Sequence, residues 1–286
     1  MTPARRSVLP ARRSVLYVPA ANARALEKSA ALPADAVIFD LEDSVAPEAK
    51  LAARDALKAH PLWQTSAAQW RAVRVNGLDT PWGRADMAAF ADSPADALLV
   101  PKLEAVAELK TLAAAAHGKP LWAMVETPRA VVQAAALAHA GRAAQLTCFV
   151  LGSNDLARAM GFDMRAPASP LAHIAAQVLL AAKAHGLEML DGVHNDIADE
   201  EGFAAACAAA AAMGMDGKTL IHPSQIAPAN AAFAPSQEAL EEARAVVAAF
   251  EAPEARGKGV LKLHGKMVER LHYDMAQRLL ARHKEI

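Results

Sequence analysis

Cysteine is almost missing from this chain: two in 286 residues, Cys148 and Cys207, each set among apolar residues or alanines. Two such thiols read as buried side chains in a reducing compartment, and they exclude a disulfide-stapled scaffold. No uninterrupted apolar run approaches the roughly 20 residues that a membrane-spanning helix needs. The alanine-rich stretch Phe203–Met213 is too short and only weakly hydrophobic. An excess of either charge is missing too. The 30 Lys and Arg balance 31 Asp and Glu for a formal net charge of −1, which removes the basic footprint of a nucleic-acid or anionic-membrane binder. The ten histidines show no HExxH spacing and no companion cysteines, which argues against zinc. What is present is a globular composition, 54% hydrophobic and 21% charged, enough for a large core.

The N-terminus carries a repeat. Pro3–Leu9, PARRSVL, recurs unchanged as Pro10–Leu16. Paired arginines can open a twin-arginine export signal, but Pro19 and Arg24 interrupt any apolar segment behind them. The first copy is expected to be a duplicated, disordered leader over residues 1–13, with the first strand starting at Ser14. The expected location is the cytoplasm.

Eight short apolar, β-branched runs follow: Ser14–Val18, Ala36–Asp40, Ala72–Asn76, Ala97–Pro101, Leu121–Glu126, Thr147–Leu151, Glu188–Val193 and Lys218–His222. Helix-favouring segments separate them, among them Pro47–Ala59, Glu104–His117, Pro128–Ala140 and Pro170–His185, each opening near a proline or an acid. Strict alternation of strand and helix predicts a parallel sheet covered by helices. Eight units in fewer than 300 residues predict an α/β fold of the (β/α)8 barrel type over residues 14–252. An open doubly wound sheet fits less well, because no glycine-rich dinucleotide fingerprint follows the first strand. Ser236–Phe250 reads as the last barrel helix. Residues 253–286 read as an extension, broken at Gly257-Lys-Gly259 and then helical from Gly265 to His283.

In such a barrel, functional side chains gather at the C-terminal ends of strands. Those ends are acidic here: Asp40-Leu-Glu-Asp43 after the second strand, Glu126 after the fifth and Asp155 after the sixth. Arg74 stands between two valines in the third strand, and Lys102 ends the fourth. Converging carboxylates repel one another unless a cation sits among them, and hard oxygen donors select Mg2+ or a similar ion. Glu126 and Asp155 end neighbouring strands, so they are the candidate metal ligands, although either alone also suits an ordinary strand-end or cap role. Arg74 suits either an ion pair with Asp40 or Asp43 or a bidentate grip on a substrate carboxylate. Gly217-Lys-Thr219 resembles the end of a phosphate-binding loop, but Ala212 stands where that motif requires glycine. A Schiff-base role for Lys102 is disfavoured, since neighbouring acids keep its amine protonated.

The motifs Ser14-Val-Leu-Tyr-Val-Pro-Ala-Ala-Asn22, Ile38-Phe-Asp-Leu-Glu-Asp-Ser-Val45, Val73-Arg-Val-Asn76, Val100-Pro-Lys102, Glu126-Thr127, Leu151-Gly152 with Asp155, and His222-Pro-Ser-Gln-Ile226 occur in that order. In this the chain resembles the citrate lyase β-subunit-like proteins of the HpcH/HpaI aldolase/citrate lyase family, from about residue 12 onward. The resemblance implies a Mg2+-dependent barrel, commonly a homotrimer, that cleaves or forms a carbon–carbon bond in a 3-hydroxyacyl-CoA thioester, with a 2-keto acid as co-product. Malyl-CoA, citramalyl-CoA and citryl-CoA are the candidate substrates. A citryl-thioester lyase subunit, a malyl-CoA thioesterase and a non-catalytic barrel are the alternatives. By the same resemblance, Glu126 and Asp155 bind the metal, and Arg74, Gly152 and Asn154 contact substrate. Asp40 supports Arg74. In Gly265-Lys-Met-Val-Glu-Arg270 the family's usual acid/base aspartate is replaced by Glu269, on a segment expected to cover a neighbouring subunit's site.

Overall fold

The structure, a computed structural model, describes residues 12–64, 69–166, 169–255 and 257–283. It divides into two compact units, one over residues 12–233 and one that includes residues 234–255 and 257–283.

The first unit is the expected barrel. Strands Ser14–Pro19 (β1), Ala36–Asp40 (β2), Trp70–Arg74 (β3), Ala97–Val100 (β4), Leu121–Val125 (β5), Leu146–Leu151 (β6), Glu188–Asp191 (β7) and Gly217–Leu220 (β8) pair in parallel and in sequence order, and β8 returns to β1 to close the ring. The helices between them are Ala23–Ser29 (α1), Lys50–Ala59 (α2), Gly83–Phe90 (α3), Val106–Ala115 (α4), Pro128–Gly141 (α5), Ser153–Met160 (α6), Leu171–Ala184 (α7), Glu200–Met213 (α8) and Ile226–Ala232 (α9). Local chemistry sets their starts. Asn22, Thr127 and Asp199 each accept a backbone N–H at a helix N-terminus, and Pro128 occupies the first turn of α5, where a missing donor costs nothing.

Alternate residues of each strand supply two cores. Val37, Phe39, Val73, Leu98, Val125 and Phe149 face the helices, whereas Val15, Ile38, Ala72, Leu99, Trp122 and Val150 fill the barrel interior. The floor of that interior is sealed by Arg12, which is fully buried. Its guanidinium lies 4.1 Å from the Trp70 ring centre and 4.9 Å from that of Trp122, and it is ion-paired with Glu188. Arg13 forms a two-point pair with Asp35 at 2.7 and 2.8 Å.

Beyond shifts of one or two residues at other strand ends, four features differ from the sequence reading. Arg12 and Arg13, expected in the disordered leader, are held by the barrel, while residues 1–11 lie outside those described. Strand β3 runs Trp70–Arg74, two residues earlier than expected, because Trp70 packs on Trp122 in a stacked pair, centroids 6.4 Å apart. The barrel unit closes with α9, which packs on β1 and β8. The helix expected to be its last, Gln237–Glu251 (α10), belongs to the other unit. That unit also departs from the single helix expected after Gly265. Val260–Leu263 (β9) and Lys266–Glu269 (β10) form an antiparallel hairpin before the helix Arg270–His283 (α11). His264 and Gly265 turn the hairpin with φ of 48° and 79°, a left-handed pair suited to a two-residue connection. Val268 from β10 and Ala276 from α11 pack with Ala243, Val246 and Phe250 of α10. Among the described residues no helix is long and apolar enough to cross a membrane.

Candidate active site

At the C-terminal end of the barrel strands, register brings the charged residues together. Asp40 closes β2 directly opposite Arg74, which closes β3. Arg74 Nε and Nη2 donate to the two Asp40 carboxylate oxygens at 2.6 and 2.7 Å, a bidentate clamp. Nη1 lies 2.8 Å from Glu42 Oε2 and 3.4 Å from Asp43 Oδ2, and the guanidinium stacks 5.0 Å from the Tyr17 ring centre. Burial alone would raise the Asp40 carboxyl. The Arg74 charge and hydrogen bonds, with donors from the Ser44 and Glu42 backbone, hold it below the ordinary carboxylate range. Burial likewise works against the Arg74 charge, yet Asp40 keeps Arg74 protonated well above its usual range.

Glu126 follows β5 and is fully buried. Its Oε1 accepts the Lys102 backbone N–H at 2.8 Å, while Oε2 is buried without a hydrogen-bond partner. Desolvation, reinforced by the Glu42 carboxylate, pushes Glu126 up to about 7. A charged oxygen with no donor in reach is costly unless a cation supplies the missing interaction. Glycine at 152 is required by this packing, because a Cβ there would overlap Glu126 Cβ and stand 2.8 Å from Glu126 Oε2. Lys102 itself adopts a left-handed backbone, φ 49°, and its ammonium donates to Glu42 Oε1 at 2.6 Å.

Val125 and Leu151 pair across β5 and β6, so Glu126 and the start of α6 leave adjacent strands. Asp155 lies in the first turn of α6 and pairs with Arg158 one turn on. Asn154 exchanges hydrogen bonds with Asn195 at 2.7 and 3.2 Å. A cleft of about 360 Å³ is lined by Asp40, Arg74, Gly152, Asn154 and Asp155, together with Tyr17 and Met124.

Five carboxylates therefore crowd this end of the barrel: Asp40, Glu42, Asp43, Glu126 and Asp155. Arg74 and Lys102 pair with the first three, and Arg158 pairs with Asp155, which leaves Glu126 without a cationic side chain in contact among the described residues. The surplus of hard oxygen donors, with Glu126 Oε2 left orphaned, fits a divalent cation such as Mg2+. Among the described residues no cluster of three or more His, Cys, Asp or Glu could hold a metal alone. A Mg2+ ion held by one or two carboxylates draws its remaining ligands from water and substrate oxygens, so a two-carboxylate site suits it.

Of the residues singled out from sequence, Asp40, Arg74, Gly152, Asn154 and Asp155 share the cleft, and Glu126 stands against Gly152. Glu269 lies in the other unit, exposed at the end of β10, where its own N–H donates to His272 Nδ1 at 2.9 Å. Its two basic neighbours in sequence are engaged elsewhere: Lys266 reaches Glu242 at 3.7 Å, and Arg270 stacks on Tyr273 at 4.5 Å. Tyr17, Met124 and the bridging role of Glu42 were missed. Tyr17 alternates with Val15 on the interior face of β1, a period-two signal that was open to reading.

The HpcH/HpaI aldolase/citrate lyase family model matches residues 13–223. A (3S)-malyl-CoA thioesterase of Cereibacter sphaeroides is 47% identical over 274 residues, covering 96% of this chain and 95% of the relative. The citrate lyase subunit beta of Escherichia coli is 36% identical, covering 95% and 93%. Among solved structures, the protein CitE from Mycobacterium tuberculosis, in complex with magnesium, acetoacetate and coenzyme A, superposes with a TM-score of 0.77 at 34% identity, covering 96% of this chain and 98% of that one.

Proposed function

The chain belongs to the HpcH/HpaI aldolase/citrate lyase family, and from that premise we propose that it is a Mg2+-dependent carbon–carbon lyase acting on a 3-hydroxyacyl-CoA thioester of the malyl type. The observation that carries this reading is the orphaned Glu126 Oε2, buried beside a cleft that already holds Asp155 and the Arg74–Asp40 clamp. Glu126 and Asp155 would hold the ion, which when bound supplies Lewis-acid polarisation of the 2-keto acid carbonyl. Arg74, fixed by Asp40, contacts the acyl oxygens and offsets the negative charge that develops on the thioester oxygen. Gly152 and Asn154 border the substrate. A base removes the 3-hydroxyl proton, the bond between C2 and C3 breaks, and its electron pair passes into the thioester enolate. Protonation at C2 then gives acetyl-CoA beside the 2-keto acid. Glu269 of a neighbouring subunit is the proposed acid/base, and the homotrimer that the family resemblance implies would supply that neighbour. The two buried thiols, Cys148 and Cys207, accord with the reducing cytoplasm.

A second reading is favoured by a specific observation: the 47% identical relative bears the name of a malyl-CoA thioesterase. The same clamp and cation would then activate the thioester carbonyl toward water. Product analysis separates the two. Incubated with malyl-CoA and Mg2+, a lyase yields glyoxylate and acetyl-CoA, whereas a thioesterase yields malate and free CoA. Citramalyl-CoA and citryl-CoA, assayed in parallel for pyruvate and oxaloacetate, define the substrate. No Mg2+-dependent consumption of any of the three would sink both readings.

A further inference from the structure

Lys102 is described by its family resemblance only as part of a strand end, yet it is placed under unusual constraint. Its φ of 49° is a left-handed conformation that lysine seldom adopts and that persists where surrounding contacts over-determine it. Two contacts do so. The backbone N–H donates to Glu126 Oε1 at 2.8 Å, and the ammonium donates to Glu42 Oε1 at 2.6 Å.

Glu42 is thereby shared. Its second oxygen, Oε2, lies 2.8 Å from Arg74 Nη1. Nε and one N–H of Nη2 are committed to Asp40, so the edge left for an incoming acyl or carboxylate oxygen is Nη1 with the second N–H of Nη2. Glu42 competes with substrate for that edge, and Lys102 draws Glu42 the other way. We propose that Lys102 is a positioning residue with two separable tasks: its ammonium holds one Glu42 oxygen, limiting Glu42 to a single contact on Arg74 that an incoming substrate oxygen can displace, and its strained backbone amide fixes Glu126 by Oε1 so that Oε2 stays free for a cation. The first task rests on the function proposed above, through the role given to Arg74.

The tasks are distinguishable because one belongs to the side chain and the other to the backbone. Asparagine tolerates a left-handed φ but carries no ammonium, whereas a β-branched residue resists that φ. Mg2+ binding is measured by calorimetry without thioester, and steady-state kinetics are measured with malyl-CoA. For Lys102→Asn the expected result is Mg2+ affinity within about threefold of the parent, kcat within about threefold and KM raised at least about tenfold. Adding Glu42→Gln, whose neutral amide no longer holds Arg74, is expected to return KM to within about threefold. Lys102→Val is expected to weaken Mg2+ binding by at least about tenfold while the thermal midpoint shows a folded protein.

An unchanged KM in Lys102→Asn overturns the side-chain task, as does a double variant no better than the single one, the pattern of a merely structural residue. Unchanged Mg2+ affinity in Lys102→Val overturns the backbone task. Should the parent itself consume no thioester, the functional reading fails instead, and the calorimetry still decides whether Lys102 orients Glu126.

Discussion

Single side chains at this site have unequal substitutes. Glu126 and Asp155 offer oxygens to a cation, and nothing else on their strand ends replaces them, so Glu126→Ala or Asp155→Ala is expected to lower Mg2+-dependent kcat by at least about a thousandfold, about 4 kcal/mol of barrier. Circular dichroism should still show the barrel, since neither side chain belongs to the hydrophobic clusters that join strands and helices; near-parental turnover in Mg2+ would remove the metal assignment. Arg74 presents a planar fork to Asp40, with both donors inside 2.7 Å. A lysine keeps the charge and loses the fork, so Arg74→Lys is expected to reduce kcat/KM more than tenfold, above about 1.4 kcal/mol. A smaller loss would show that charge alone suffices. These residues were legible in the sequence because a charged residue between valines, or a carboxylate just past an apolar run, breaks the local pattern. Lys102 and Glu42 were legible only as charges. The left-handed φ of Lys102 and the bridge made by Glu42 depend on where neighbouring strands end, which no local pattern encodes.

At the scale of elements, alternation of strand and helix was read correctly because interior and helix-facing residues follow a period of two within every strand. Boundaries slipped where packing rather than propensity decides. The start of β1 is the clearest case. The repeat made residues 1–13 look dispensable, yet Arg12 closes the barrel floor between Trp70 and Trp122 and pairs with Glu188. One copy of PARRSVL supplies that arginine. Deleting residues 2–8 is therefore expected to leave the thermal midpoint and turnover unchanged. Arg12→Ala is expected to cost about 3–5 kcal/mol in urea denaturation, because it strands the Glu188 carboxylate and opens a cavity under two tryptophans. Equal stability of the two variants would show that Arg12 is replaceable from elsewhere in the leader. The hairpin of β9 and β10 was missed for a related reason. Lys266–Glu269 is only four residues long, and its apolar Val268 also suits a helix face, so periodicity alone cannot separate the two.

For the whole molecule, the question is which chain completes which site. Glu269 is exposed at the end of β10 with no ion-pair partner among the described residues, and its backbone is fixed by His272 and by the hairpin. A carboxylate held on a rigid element yet left free of local partners is suited to a task outside its own unit, and the proposed task is proton transfer in a neighbouring subunit. Glu269→Gln keeps the shape and removes the titrating oxygen, so it is expected to lower lyase turnover by at least about a hundredfold, whereas Glu269→Asp retains it. Service to a neighbour makes a sharper demand. Chains carrying Arg74→Ala lack a clamp but donate a sound Glu269, and chains carrying Glu269→Gln have the reverse defect. Co-expressed in equal amounts, and given the proposed ring of three, they would assemble a complete site wherever an intact barrel meets an intact hairpin, about one site in four by random mixing in a head-to-tail ring. Turnover near a quarter of the parent is expected from the mixture, against almost none from either variant alone. If mixing restores nothing while sedimentation shows that the chains do co-assemble, Glu269 acts within its own chain or not at all, and the acid/base must be sought in the barrel.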